Sequence, residues 1–287
     1  MALASRNFQE LLADVETEDI VLNHRGLSYY CAGRWHGPVA SRECSPDSLE
    51  NLSRKIAESA GTTLGFTNPS VDAFLNWNDA MYRAHVVRAP MSPMGTEITL
   101  RRLPDMNRFR LESFSDSEML INELQVAVAE KKSILVAGAT GSGKTSLLTA
   151  LMAEMDAAQR VLILEDSPEL PLPSALSSKL LCRTNRFGFT NGATWDLSHL
   201  VYESLRMRPD WMILGECRGA EARAISDALR TGHAVMTTLH AASAGGALER
   251  FAQLSGTSEE APWDLALHVH QNPEGARKIT EVKWISS

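Results

Sequence analysis

The chain has 287 residues, of which 44% are hydrophobic and 22% charged, and its formal net charge is −7. The length fits two domains of ordinary size, and the composition is that of a globular protein. The acidic balance argues against nucleic-acid binding through the whole surface. No apolar run approaches the roughly 18 residues of a membrane span, and no basic start precedes an apolar core, so we expect neither a transmembrane segment nor a signal peptide.

Residues 1–103 predict a small α+β domain. The polar turn 23–26 is flanked by two apolar runs, which is typical of two strands joined by a tight connection. Ser45 is a favourable helix N-cap, Pro46 suits the first helical position and Gly61 is a natural stop, so a helix is expected between them. Two further strands are expected at 82–88 and 96–102.

Residues 117–287 predict a second domain with a mostly parallel sheet, and the polar segment 104–116 predicts a linker. Ser115 and Glu118 have the spacing of a capping box, which would open a helix that reaches about Lys131. Strands and helices then alternate, as in a parallel sheet with covered faces. The predicted strands are 133–137, 160–165, 179–183, 211–215 and 234–239, the predicted helices are 144–156, 196–207, 219–230 and 243–254, and a closing hairpin is predicted from 265–269 and 278–285.

The segment 138–146 matches the phosphate-binding pattern G-x-x-x-x-G-K-[ST]. It lies between a short apolar run and a predicted helix, whose N-terminus would face an anion. Its glycines let backbone N–H groups point at phosphate oxygens, Lys144 brings a compact cation to them, and the Thr145 hydroxyl is suited to Mg²⁺. The segment therefore predicts a site for ATP and Mg²⁺, with the nucleotide-binding residues Gly138, Ala139, Thr140, Gly141, Ser142, Gly143, Lys144, Thr145 and Ser146.

Polar side chains follow three other predicted strands at the same edge of the sheet. Glu165 and Asp166 end one strand, and ligands of open α/β sheets bind at this edge. Glu216 ends a second strand and could polarise an attacking water. His240 ends a third strand. One such residue alone is often structural, but their coincidence with the phosphate-binding segment favours catalysis.

Four motifs thus follow one another along the chain: the phosphate-binding loop at 138–145, an acidic Asp box at 165–170, a Walker B stretch at 206–219 and a His box at 231–241. Their order resembles that of the secretion-superfamily ATPases, the hexameric motors of type II and type IV secretion, type IV pili and conjugation. The opening segment 19–23 also resembles the family, so the resemblance covers nearly the whole chain.

The resemblance to subgroups of this family is divided. The stretches 206–210 and 216–219 resemble the ATPases of type IV secretion and of tight-adherence pili. The stretch 98–104 instead resembles the ATPases of type IVB secretion and conjugation. A type II secretion ATPase is not expected, because the tetracysteine zinc module of that group is missing from the sequence.

The resemblance implies a RecA-like P-loop domain preceded by a PAS-like domain, with ATP held between the two. Lys144 would offset developing charge, Glu216 would orient the water and His240 would sense the γ-phosphate. Glu165 would be a second acid near the metal or the water, and the choice between Glu165 and Glu216 as the main acid stays open. The catalytic residues are then Lys144, Glu165, Glu216 and His240, and the metal ligands are Thr145, Glu165 and Asp166.

The resemblance also implies an assembly. Family members direct arginines at a nucleotide, either in the same chain or from a neighbouring subunit, and the matching residues here are Arg83, Arg88, Arg101 and Arg102. The implied protein is a homo-hexamer in the cytoplasm, peripheral at the bacterial inner membrane, where it would dock to a secretion or pilus platform. Stable nucleic-acid binding is not expected.

Two alternatives belong to other functional classes. A nucleotide-gated assembly scaffold would bind ATP but barely turn it over, and the joint presence of Lys144, Glu165 and Glu216 argues against it. A DNA-translocating motor would need a basic channel segment with interleaved aromatic residues, which this acidic chain does not contain. The sequence does not indicate which substrate is moved or in which direction.

Overall fold

The structure is a computed structural model that describes residues 6–77, 80–103, 109–182, 195–257, 261–272 and 275–285. The chain divides into two compact units, Met1–Pro104 and Asp105–Ser287. In the parts of the chain just given, no helix combines the length and the apolar character needed to cross a membrane.

The first unit combines one antiparallel sheet with two helices. Its elements are α1 (Phe8–Ala13), β1 (Thr17–Asn23), β2 (Gly26–Cys31), β3 (Arg34–Val39), α2 (Pro46–Ser59), β4 (Ser70–Trp77), β5 (Ala80–Val87) and β6 (Glu97–Arg102). The six strands lie in the order β3-β2-β1-β6-β5-β4, and all neighbours are antiparallel. One face of the sheet packs against both helices, because alternate residues of the strands share a buried cluster with residues of α1 and α2.

The predicted elements of the first unit are present. The hairpin turns at 23–26, and α2 begins after Ser45, whose side chain accepts a hydrogen bond from the backbone N–H of Ser48 at 3.3 Å. Sequence reasoning missed α1, β3 and β4. The six residues of α1 are too few for a periodic pattern, and no residue of β3 is buried, so neither element carries the apolar spacing that predicts it.

The second unit alternates strands and helices. Its elements are α3 (Glu118–Ala129), β7 (Ile134–Gly138), α4 (Lys144–Ala153), β8 (Val161–Glu165), β9 (Ser178–Leu181), α5 (Leu197–Ser204), β10 (Trp211–Leu214), α6 (Glu221–Arg230), β11 (Val235–His240), α7 (Ala244–Ser255), β12 (Leu265–Gln271) and β13 (Arg277–Trp284). The seven described strands lie in the order β13-β12-β7-β11-β10-β8-β9, and only the β12–β13 pair is antiparallel. The predicted α/β class with a mostly parallel sheet is therefore confirmed.

Two local expectations about the start of this unit differ from the structure. The N-cap of α3 is Ser117 and not Ser115, because the Ser117 hydroxyl accepts the backbone N–H of Leu120 at 3.3 Å. Within the predicted linker, 104–108 lies outside the described residues, whereas Leu111 and Phe114 occupy a short 3-10 turn and are buried in the core of this unit. Leu111 and Phe114 are apolar and could have indicated a buried segment. The polar residues around them instead favoured the prediction of a linker.

The parallel strands set the position of the site. Their side chains alternate between two buried clusters, with Leu135 and Ala137 of β7 in one and Ile134 and Val136 in the other. Both faces of the sheet are therefore covered, and only the strand ends are open to a ligand. Because β7, β11, β10 and β8 are parallel neighbours, their carboxyl ends meet at one edge.

Candidate active site

The phosphate-binding segment connects β7 to α4 at the carboxyl edge of the sheet. The strand ends at Gly138 and the helix begins at Lys144. Gly141 and Gly143 have φ angles of 77° and 100°, in the left-handed region that favours glycine. The loop thus turns within five residues and presents the N-terminus of a ten-residue helix to a bound anion.

Gly138 is closely enclosed, and we expect that an added methyl group destabilises the loop. A Cβ atom there would lie 2.5 Å from the carbonyl oxygen of Val269, a backbone atom that cannot swing away. We predict that Gly138→Ala costs about 1–3 kcal/mol and lowers the thermal midpoint by about 2–10 °C. Gly65→Ala is the control, because a Cβ atom at Gly65 meets nothing within 4 Å. Equal midpoints for the two variants in calorimetry would contradict the expectation.

The Lys144 side chain lies inside the loop and is only 7% exposed. Its ammonium donates hydrogen bonds to the carbonyl oxygens of Gly138 at 3.1 Å and Ala139 at 2.8 Å, and it lies 3.1 Å from Nδ1 of His240. Burial lowers the pKa of Lys144, the nearby Arg218 lowers it further, and the charge of Glu216 opposes both. The ammonium is therefore held at the N-terminus of α4 by carbonyl groups, which the oxygens of a phosphate could replace as hydrogen-bond acceptors.

His240 connects Lys144 to Glu216. An ammonium can only donate, so Nδ1 of His240 accepts from Lys144 and Nε2 carries the ring proton. Nε2 lies 3.0 Å from Oε1 of Glu216, and the other carboxylate oxygen accepts from Arg218 at 2.5 Å. Burial alone would raise the pKa of Glu216, but Arg218, His240 and Lys144 together hold it below its ordinary value. Glu216, two residues after the end of β10, is thus an ionised carboxylate that His240 connects to Lys144.

Glu165 is placed differently. Its carboxylate is buried, and Oε1 accepts the backbone N–H groups of Glu169 at 2.9 Å and Leu170 at 2.8 Å. Oε2 lies 3.0 Å from the ammonium of Lys179 on β9. Burial raises the pKa of Glu165, and Lys179 and the two N–H groups oppose the rise. Both oxygens thus lie against positively polarised groups of the chain itself, and the metal-ligand role expected of Glu165 stays a prediction.

Other predicted ligands differ from Glu165 in their surroundings. The Ser142 hydroxyl is buried in the loop and has no hydrogen-bond partner among the described residues, which suits a loop built to receive an anion. Thr145 follows Lys144 in the first turn of α4, and its hydroxyl is the kind of oxygen that Mg²⁺ binds. Asp166 is exposed beyond the end of β8, so its carboxylate is accessible to a cation. In the described part of the chain, no group of three or more His, Cys, Asp or Glu side chains is placed to hold a metal ion.

The four predicted arginines all lie in the first unit, in different surroundings. Arg83 and Arg101 are opposite each other on β5 and β6, with Arg83 3.6 Å from Asp72 and Arg101 bonded to Asp19 at 2.8 Å. Arg88 pairs with Glu50 of α2 at 3.0 Å, and Arg102 donates to the Tyr82 hydroxyl and the Leu12 carbonyl at 2.8 and 3.1 Å, so all four arginines contact groups of the first unit.

Three residues that contact the motifs were not predicted as site residues from the sequence. Arg218 holds Glu216, and its position two residues later in the same motif was an available signal. Lys179 holds Glu165 from a separate strand, and Arg277 lies against Gly143, where a Cβ atom would be 2.4 Å from its Cδ. Neither Lys179 nor Arg277 belongs to a motif, so no local pattern identifies them.

Comparison with known proteins indicates the family of this chain. The family model described as "Type II/IV secretion system protein" matches residues 72–271. The putative conjugal transfer protein Rv3659c of Mycobacterium tuberculosis is 29% identical over 259 residues, which cover 84% of this chain and 73% of that protein.

Solved structures are similar over nearly the whole chain. The crystal structure of the VirB11 ATPase from the Brucella suis type IV secretion system, in complex with sulphate, has 25% identity and a TM-score of 0.50, and the match covers 96% of this chain and 91% of that one. The pilus retraction motor PilT with bound ADP has 18% identity and a TM-score of 0.67, with 99% and 84% covered, so it shares the fold.

Proposed function

The chain belongs to the type II/IV secretion system protein family and is an ATP-hydrolysing enzyme, and we propose that it works as a hexameric motor. In this proposal ATP hydrolysis energises assembly or transport by a bacterial type IV secretion, conjugation or type IV pilus-like machine. The protein would act in the cytoplasm, docked to a platform at the inner membrane. One observation carries the proposal. His240 lies 3.1 Å from the Lys144 ammonium through Nδ1 and 3.0 Å from the Glu216 carboxylate through Nε2, and Lys144 belongs to the phosphate-binding loop.

The nucleotide would bind with its phosphates on the loop 138–146. Phosphate oxygens would compete with the carbonyl groups of Gly138 and Ala139 for the Lys144 ammonium. Thr145, water and phosphate oxygens would hold Mg²⁺, which offsets the charge of the triphosphate when bound.

Glu216 would then orient the attacking water. Its lowered pKa keeps it ionised, Arg218 donates to one oxygen, and Nε2 of His240 lies 3.0 Å from the other. If phosphate draws Lys144 away, Nδ1 of His240 loses a donor while Nε2 still contacts Glu216. Binding of phosphate would in this way change the hydrogen bonding of His240, and His240 contacts the carboxylate of Glu216 that acts on water.

Arg83 and Arg101 would supply positive charge to the triphosphate, in the same chain or from a neighbouring copy. They are adjacent in register on the sheet, and the Arg101 side chain is 65% exposed. Arg101 is paired with Asp19 but stays largely exposed, whereas the half-buried Arg102 is held by the Tyr82 hydroxyl and the Leu12 carbonyl and is a weaker candidate. A closed ring with heterologous interfaces would place such an arginine against the next subunit's nucleotide.

We predict that Arg101→Ala lowers turnover by about 10-fold or more while ATP binding largely persists, because the loop 138–146 is intact. The control is Arg25→Ala, which removes an exposed arginine from the hairpin turn of the same unit. Mixing Arg101→Ala with Lys144→Ala subunits tests the assembly. Recovered phosphate release in mixed rings places the contact between subunits, whereas no recovery favours a role within one chain. A protein that stays monomeric with and without ATP would contradict the ring.

A further inference from the structure

Lys179 and Glu165 form a buried ion pair between two parallel strands. Lys179 lies on β9, and Glu165 is the last residue of β8. Their side chains are 9% and 2% exposed, and Nζ lies 3.0 Å from Oε2. Charged side chains that are almost fully buried are rare unless paired, so this pair is a built feature of the fold and not a surface contact.

The same two side chains close the acidic loop that follows β8. Glu165 accepts the backbone N–H groups of Glu169 and Leu170, and the Lys179 ammonium also donates to the carbonyl oxygen of Leu170. One end of the loop is therefore bonded to the carboxylate and to the cation together. The exposed residues Asp166 and Glu169 lie on this loop, so the ion pair determines where their charges are held.

Glu165 also lies against the strand that carries the proposed catalytic carboxylate. A Cβ atom at Gly215 would be 3.5 Å from Cγ of Glu165, and Gly215 immediately precedes Glu216. The N–H group of Gly215 donates to the carbonyl oxygen of Leu164 at 3.3 Å. The Glu165 side chain therefore borders the backbone that leads to Glu216.

We propose that Lys179 is a positioning residue that neutralises Glu165 and seats the acidic loop, and that Glu165 acts through this ion pair and not as the group that activates water. The inference rests on the proposed function, because it assigns the second acid of the same site. It also names a residue, Lys179, that lies outside the four motifs.

The chemistry of the carboxylate supports this assignment. A general base needs an oxygen that can accept a proton from water within hydrogen-bond reach. The Glu165 side chain is only 2% exposed, and a buried ammonium lies 3.0 Å from one of its oxygens, so water has little access to it. The Glu216 side chain is 19% exposed, and His240 connects it to Lys144.

The test is a double-mutant cycle with Glu165→Gln, Lys179→Met and the two changes combined. Each single change leaves one buried charge without its partner, whereas the double variant buries two neutral side chains of similar size. We expect Lys179→Met to lower kcat about 100-fold through displacement of the loop, with a less than about threefold change in the ATP dissociation constant. The double variant should recover to within about tenfold of the unaltered enzyme.

Two results would overturn the proposal. One is a double variant that is no more active than Glu165→Gln, because a lost base cannot be restored by removing a lysine. The other is an unchanged kcat in Lys179→Met. If Lys179→Met does not fold, the comparison of Glu165→Gln with the double variant still decides. Absence of phosphate release from the unaltered protein would instead refute the proposed function, and thermal midpoints of the four proteins would still report whether the two side chains are coupled.

Discussion

Lys144→Ala is expected to abolish ATP hydrolysis, with a loss of at least about 100-fold in kcat. The ammonium of Lys144 is the cation inside the phosphate-binding loop, and its partners there are carbonyl oxygens that water can also satisfy. The neighbouring apolar residues of α4 form the core without it, so the fold should persist. Phosphate release under saturating ATP measures the loss, and circular dichroism checks the fold.

Lys131→Ala is the matched control for this variant. Lys131 pairs with Asp210 at 2.5 Å, just before β10 and therefore at the opposite edge of the sheet. Its replacement removes a lysine from the same unit without touching the loop, and turnover should stay within about twofold of the unaltered value. Near-normal turnover in Lys144→Ala would contradict the assignment of the loop.

Glu216→Gln is expected to keep ATP binding and to lose hydrolysis by about 100-fold or more. The amide preserves the shape of the side chain and one acceptor oxygen, so the contacts with Arg218 and His240 can partly persist. What disappears is the negative charge that, in the proposed function, polarises the water. Binding of a fluorescent ATP analogue and phosphate release, measured on the same preparation, separate the two effects.

Glu249→Gln serves as the control for Glu216→Gln, because Glu249 is exposed on α7. It should change neither binding nor turnover. If Glu216→Gln hydrolysed ATP normally while the double variant Glu165→Gln/Lys179→Met stayed inactive, the base assignment would pass to Glu165.

Much of the site could be predicted because its residues stand at strand ends. Apolar runs identify β7, β10 and β11 as buried strands, and parallel strands bring their carboxyl ends to one edge. That reasoning places Lys144, Glu216 and His240 together, and the structure shows them in contact. The hairpin of β12 and β13 was predicted from a different signal, the turn-forming residues between its two strands, and the structure shows the two strands paired.

The direction in which a side chain points could not be predicted from its position. Glu165 is the last residue of β8 and Glu216 follows β10, yet one lies against Lys179 and the other against His240. The difference depends on a lysine 14 residues further along the chain, on a strand with no fully buried residue. Likewise, the exposed pattern of β3 gives no periodicity, because its stability comes from pairing with β2 and not from burial.

The most direct test of the proposed motor is phosphate release measured across a size-exclusion profile of the unaltered protein with ATP and Mg²⁺. A motor that works as a ring predicts magnesium-dependent, multiple-turnover release that coincides with the fraction whose light-scattering mass is that of six copies. Release that follows the monomer, or an assembled fraction that binds ATP without turning it over, would contradict the account and would favour a nucleotide-gated scaffold.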